Sequence, residues 1–167
     1  MGIKMRTHSI LVGLVIWSVA VTATADNVDV TVDISEQKMT VYVEGHQKYV
    51  WKISSAREGY STPRGDYRPL WITTMHRSKK YDNAPMPYSV FFNGGYAIHG
   101  TNQIRQLGKP ASHGCVRLHP SNAKKLYQLV KKYGKENTRI MLRDQVDPAV
   151  LAGHFKGPLA VAERLFN

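Results

Sequence analysis

The chain has 167 residues, with 23 Lys plus Arg against 12 Asp plus Glu, so its formal charge is +11 with all seven histidines neutral. That length fits one domain with short additions, and a content of 43% hydrophobic and 21% charged residues excludes a wholly disordered chain, a collagen-like repeat and a multi-pass membrane protein. Cys115 is the single cysteine, so no intramolecular disulfide and no CxxC-type zinc or redox site can form.

Residues 1–25 have the layout of a secretory signal peptide. Lys4 and Arg6 make a short basic region, Ile10 to Val21 is the apolar stretch, and Ala23-Thr24-Ala25 ahead of Asp26 gives the small residues that a signal peptidase needs. The apolar stretch is short for a span of about 20 residues. Cleavage would remove Lys4 and Arg6 and no acid, leaving a charge of +9 from +11. An exported, basic domain is expected from residue 26 to 145, followed by an appendage from 146 to 167.

In chain order, Val28, Val30, Val32 and Ile34 alternate with polar residues, Ser35-Glu36-Gln37 reads as a turn, and Met39, Val41 and Val43 alternate again before Gly45-His46. That predicts a hairpin with one buried face. Lys48 to Ser54 predicts a third strand, Thr62-Pro63-Arg64-Gly65 a tight turn, and Asp66 to Thr74 an extended segment with Pro69 at an edge or bulge. Residues 75 to 87 are polar, basic and proline-punctuated and read as a surface loop. Tyr88 to Phe92 and Tyr96 to His99 flank the hairpin turn Asn93-Gly94-Gly95. Pro120 opens a helix in which Ala123, Leu126, Leu129, Val130 and Tyr133 recur at helical spacing, with Gly134 as its C-terminal cap. Thr138 to Arg143 is a last strand. The reading is a mainly β (α+β) domain with one main helix after the Cys115 turn.

The chemistry-bearing residues lie between Ile98 and His119. A thiol is mostly protonated at neutral pH unless a neighbour assists it, and imidazole is the usual neighbour. His99, His113 and His119 are all within reach by sequence, and spacing alone nominates none of them. Gly114 removes a side chain where backbone N–H groups would have to approach an oxyanion. A lone cysteine is ordinarily a buried small hydrophobe. Here it sits in a polar, Gly- and His-rich turn of a chain bound for an oxidising space. His99, His113, Cys115 and His119 match no structural zinc spacing, so no metal and no other cofactor is expected.

The order His99-Gly100-Thr101, then Ser112-His113-Gly114-Cys115-Val116-Arg117, closely resembles the L,D-transpeptidase family, whose YkuD-type catalytic domain modifies bacterial cell walls. The stretch Thr62 to Tyr67 is similar to another part of that family, and the resemblance covers about residues 28 to 143. It implies a YkuD-like β-sandwich. It also implies that Cys115 attacks the third residue of a peptidoglycan tetrapeptide stem and expels the terminal D-alanine, with His99 as base, oriented by a backbone carbonyl near Gly100. His113, Gly114 and Cys115 would supply oxyanion N–H groups, Ser112 and His113 would shape the turn, and Arg117 would bind substrate carboxylate.

Stem peptides are therefore the expected partners, with a wall-anchored outer-membrane protein as a further acceptor, no nucleic acid, and a monomeric chain in the periplasm. A retained signal segment would tether it to the inner membrane. His119 reads as a residue of the helix start. Tyr81, Tyr88 and Trp71 read as core or as groove lining.

Overall fold

The computed structural model describes residues 27–147. The signal-peptide reading and all but the first two residues of the expected appendage lie outside the described residues. Strand β1 (Val28–Asp33), β2 (Lys38–Val43) and β3 (His46–Lys52) form an antiparallel meander. β4 (Gly65–Tyr67) and β9 (Thr138–Arg143) complete a five-stranded sheet in the order β3-β2-β1-β9-β4, with β9 parallel to β1. β5 (Trp71–Ser78), β6 (Ala84–Asn93), β7 (Tyr96–Gly100) and β8 (Val116–Leu118) form a second sheet in that order, and α1 (Pro120–Tyr133) packs on β6 and β7. Among the described residues no helix is long and apolar enough to cross a membrane.

The alternation at the start of the chain places Val28, Val30 and Val32 of β1 and Met39 and Val41 of β2 on one face, each 0–1% exposed. They share a core with Val90 and Phe92 of β6, Ile98 of β7, Val116 and Leu118 of β8, and Ala123, Leu126 and Val130 of α1. This is the expected β-sandwich carrying one helix. His119 caps α1 by accepting from the Ser121 N–H, Pro120 stands at its first position, and Gly134 ends it with φ +94°.

Two predicted segments differ. The surface loop expected over residues 75 to 87 is the distal half of a long hairpin, because β5 continues to Ser78 and β6 begins at Ala84. Pro85 and Pro87 are tolerated there because they pair with β5 on one side, at Arg77 and Met75, while β7 joins β6 only from Val90 onward. The extended segment from Asp66 to Thr74 is two strands in different sheets, with Arg68-Pro69-Leu70 crossing between them. Gly65 belongs to β4 and does not close a turn. The preceding residues are held instead by Arg64, which donates to the Thr62 carbonyl and the Asp144 carboxylate at 2.8 and 2.6 Å.

Candidate active site

β7 and β8 run parallel, with Ile98 opposite Val116 and His99 opposite Arg117. Ile98 and Val116 are fully buried in the core. Successive side chains of a strand point to opposite faces, so Ala97, His99, Cys115 and Arg117 share the other face. Cys115 joins Met86, Phe91 and Ala97 in a small apolar cluster beneath that face. The twofold period of two short strands is what brings thiol, imidazole and guanidinium together.

The turn before Cys115 is stitched to the segment after β3. Ser54 and Arg117 exchange backbone hydrogen bonds at 3.0 and 2.9 Å, the Ser112 N–H donates to the Ser55 carbonyl at 2.8 Å, and the Arg57 N–H to the Ser112 carbonyl at 3.0 Å. Gln37 supports that segment from behind. It is 4% exposed, and its amide donates to Ser55 Oγ at 2.6 Å while its Oε1 accepts from the Ser55 N–H at 2.8 Å. The Thr62 hydroxyl accepts from the Ala56 N–H at 3.0 Å, which ties the Thr62-Pro63-Arg64 stretch to the same scaffold.

Gly114 has φ +126°, and an added Cβ would lie 2.5 Å from Tyr96 Cε1 and 2.9 Å from the Ser61 carbonyl oxygen. Backbone conformation and space both demand glycine there. Its N–H donates to Ser112 Oγ at 2.9 Å. Gly100 is glycine for close approach. An added Cβ would sit 3.1 Å from Pro87 Cγ and 3.2 Å from Pro120 Cα.

The His99 imidazole is 6% exposed, and its Nδ1 lies 2.8 Å from the Gly100 carbonyl oxygen. A carbonyl only accepts, so Nδ1 carries the proton and Nε2 is left as the basic nitrogen. Burial drives the His99 pKa down to about 4; the Gly100 bond opposes this, and the charge of Arg117 adds to it. Burial pushes the Cys115 thiol up, against the Ala97 backbone N–H and the Arg117 charge, which favour the thiolate. The resting pair at neutral pH is a neutral thiol and a neutral imidazole. Arg117 Nη1 donates to Gln103 Oε1 at 2.8 Å, and to Gln106 Oε1 and the Ala111 carbonyl, both at 3.3 Å. All three acceptors are neutral, so among the described residues its charge is positioned without being compensated by a carboxylate.

These groups open into a cavity of about 720 Å³. One wall is basic and aromatic. There Tyr81, from the β5–β6 hairpin tip, stacks on the His113 ring at 4.3 Å and 11°, Tyr60 meets that ring edge-on at 4.7 Å, and Lys80 lies over Tyr81 at 5.6 Å. The other wall is formed by Trp71, His76, Pro85, Met86 and Phe91. Met86 and Phe91 reach the same cavity although five residues apart in one strand, because Tyr88 between them has φ +54° and interrupts the alternation. Tyr88 itself packs against Tyr127 of α1, at 5.9 Å between ring centroids, and does not line the cavity.

The structure thus brings His99, Ser112, His113, Cys115 and Arg117 to one site, with Gly100 and Gly114 beside them, and leaves His119 at the helix cap. The sequence reading missed Gln37, Gln103, Gln106, His76 and Phe91. Gln37 has φ +48° in a turn and is buried, and nothing in its neighbours' composition signals that.

Residues 27–147 match the model of the YkuD family, the L,D-transpeptidase catalytic domain. The chain belongs to this family. "Probable L,D-transpeptidase ErfK/SrfK" from Salmonella typhimurium is 26% identical over 140 residues, covering 70% of this chain and 44% of the relative. "Probable L,D-transpeptidase YbiS" from Escherichia coli K12 is 28% identical over 125 residues, covering 60% and 41%. The aligned part of the chain therefore spans less than half the length of these curated relatives. Among solved structures, an L,D-transpeptidase from Stackebrandtia nassauensis aligns with a TM-score of 0.62 at 28% identity, covering 79% of this chain and 63% of that one. L,D-transpeptidase 3 of Mycobacterium tuberculosis, solved in complex with a faropenem-derived adduct, shares the fold at a TM-score of 0.60 and 21% identity, covering 70% and 60%.

Proposed function

We propose that this YkuD domain is an exported L,D-transpeptidase that acts on peptidoglycan tetrapeptide stems through a Cys115 thioester. The observation that carries the reading is the single strand-pair face on which His99, Cys115 and Arg117 meet in one cavity. Arg117 holds a carboxylate of the stem, for which its uncompensated charge is suited. Cys115 Sγ bonds to the carbonyl carbon of the third stem residue as the thiol proton passes to His99 Nε2. With both groups neutral at rest, proton transfer accompanies attack; no preformed ion pair is drawn on.

The oxyanion is held by the His113 and Cys115 N–H groups, the Gly114 N–H being taken by Ser112. It collapses with loss of D-alanine, whose nitrogen takes the proton from His99. An acceptor amine then attacks the thioester, its proton passes to His99 and on to the departing sulfur, and the Cys115 thiol is restored. The acceptor is the side-chain amine of another stem or the lysine of a wall-linked protein. A free D-amino acid or water would give exchange or hydrolysis on the same acyl-enzyme.

The deciding experiment incubates the protein with disaccharide-tetrapeptide and identifies the products by mass. Cross-linked dimer, exchanged tetrapeptide or hydrolysed tripeptide, each abolished by Cys115→Ala, supports the reading and separates three of the four acceptors; anchoring is read by adding a candidate protein. Absence of any product, together with no mass increase of Cys115 after faropenem, refutes it and leaves a non-catalytic wall-binding module.

A further inference from the structure

The two walls of the cavity differ in chemistry. Lys80 lies over Tyr81 on the His113 side, and Arg117 lines the same cavity. The opposite wall, formed by Trp71, His76, Pro85, Met86 and Phe91, has no carboxylate, ammonium or guanidinium group. On it, Trp71 stacks on Phe91 with ring centroids 3.8 Å apart and an interplanar angle of 8°, and His76 stands edge-on to both at 5.7 and 5.1 Å. Phe91 is 3% exposed and covers one indole face, while Trp71 is 41% exposed and lines the cavity. The stack is fixed by the sheet, because Trp71 and Phe91 are direct partners in the β5–β6 ladder. A large, rigid, exposed indole at the rim of an active-site cavity is a recognition element until shown otherwise.

We propose that Trp71, Phe91 and His76 form a saccharide subsite, which seats a neutral hexopyranose of the glycan bearing the stem. The inference rests on the stem-peptide reading above and adds to it the second half of the substrate. The stem carries carboxylates and an amine, which the basic wall and Arg117 sort to their side. The sugar ring is uncharged, and its axial C–H groups make a flat apolar face that matches an open indole face. The His76 ring decides between a sugar and an alkyl side chain. It makes no hydrogen bond among the described residues and stands edge-on to the indole at 74°, so a hydroxyl or acetamido group of a pyranose seated there would give it a partner. An alkyl occupant would leave that ring nitrogen desolvated and unpaired.

The test compares kcat/KM on disaccharide-tetrapeptide with that on the same tetrapeptide lacking sugar. The wild type prefers the sugar-bearing donor by about tenfold, worth 1.4 kcal/mol, Trp71→Ala erases that preference, and Trp71→Tyr retains most of it. A preference that survives in Trp71→Ala, or no preference in the wild type, overturns the subsite. A second arm titrates the disaccharide alone into Cys115→Ala protein by calorimetry and repeats it with Cys115→Ala/Trp71→Ala. Binding weakened about tenfold by loss of the indole supports the subsite even where neither donor is turned over, in which case the transpeptidase reading alone fails. Equal turnover of both donors with no disaccharide binding removes the subsite and leaves the transpeptidase reading standing.

Discussion

Replacing His99 by Asn removes a titrating ring and keeps an amide near the Gly100 carbonyl, so it isolates what the buried imidazole does to stability. The unfolded chain protonates this imidazole near pH 6.5, whereas the folded chain resists protonation until about 4. Between those values the unfolded state binds more protons, so stability present above pH 6.5 is lost as pH falls towards 4. At 1.36 kcal/mol per pH unit the full effect is about 3 kcal/mol, of which about 2 kcal/mol falls between pH 7 and pH 4.5. Urea unfolding at those two pH values, for wild type and His99→Asn, reads it directly. With slopes of about 1–3 kcal/mol per M, the wild-type midpoint should fall by about 1 M more than the variant's. Other groups, including the half-buried His113, titrate in both proteins and cancel in the difference. Identical pH dependence in the two proteins would refute a neutral, buried His99 and with it the neutral resting pair.

Gly114→Ala forces a Cβ against Tyr96 and the Ser61 carbonyl at a φ of +126°. Strain of about 1–3 kcal/mol and a similar overpacking cost should show as a loss of about 2–6 kcal/mol in urea unfolding, and wild-type stability would sink the argument. Alkylation of Cys115 by iodoacetamide should keep rising with pH beyond the ordinary thiol range, because burial raises its pKa; a thiolate plateau between pH 6 and 8 would contradict this. Among the described residues Ser54 Oγ is buried without a hydrogen-bond partner. Ser54→Ala should therefore leave stability unchanged or raise it by up to about 1 kcal/mol, and a loss larger than that refutes an orphaned hydroxyl. The acid limb of kcat/KM should fall near pH 4 for the free enzyme, while that of kcat lies higher. A stem carboxylate against Arg117 cancels part of the positive charge that depresses His99. Coincident limbs would place the carboxylate elsewhere.

The elements most legible in the sequence are those written by short-range period and turn chemistry. Val28, Val30 and Val32, the Gly94-Gly95 hairpin, and the helix from Pro120 to the cap at Gly134 each carry their own signal. The loop expected at 75 to 87 fails for a related reason. Pro85 and Pro87 normally argue against a strand, and only the tertiary fact that β7 stops short of them makes them harmless. The division of Asp66 to Thr74 between two sheets is likewise a choice of partner strand, on which local propensity is silent.

The site shows the same division. Cys115, His99 and Gly114 stand out by residue type, but what sets their chemistry is contributed from far along the chain. Gln37 lies 18 residues from the Ser55 it holds, and Gln103 and Gln106 lie 14 and 11 residues from the Arg117 they orient. Because those acceptors are neutral amides, Arg117 keeps its full charge, and that charge acts on both members of the reacting pair. It favours the Cys115 thiolate and disfavours the His99 imidazolium. Were a carboxylate in place of Gln103, the guanidinium would be neutralised before any substrate arrived. The amide side chains thus position the charge while leaving its electrostatic influence for the substrate.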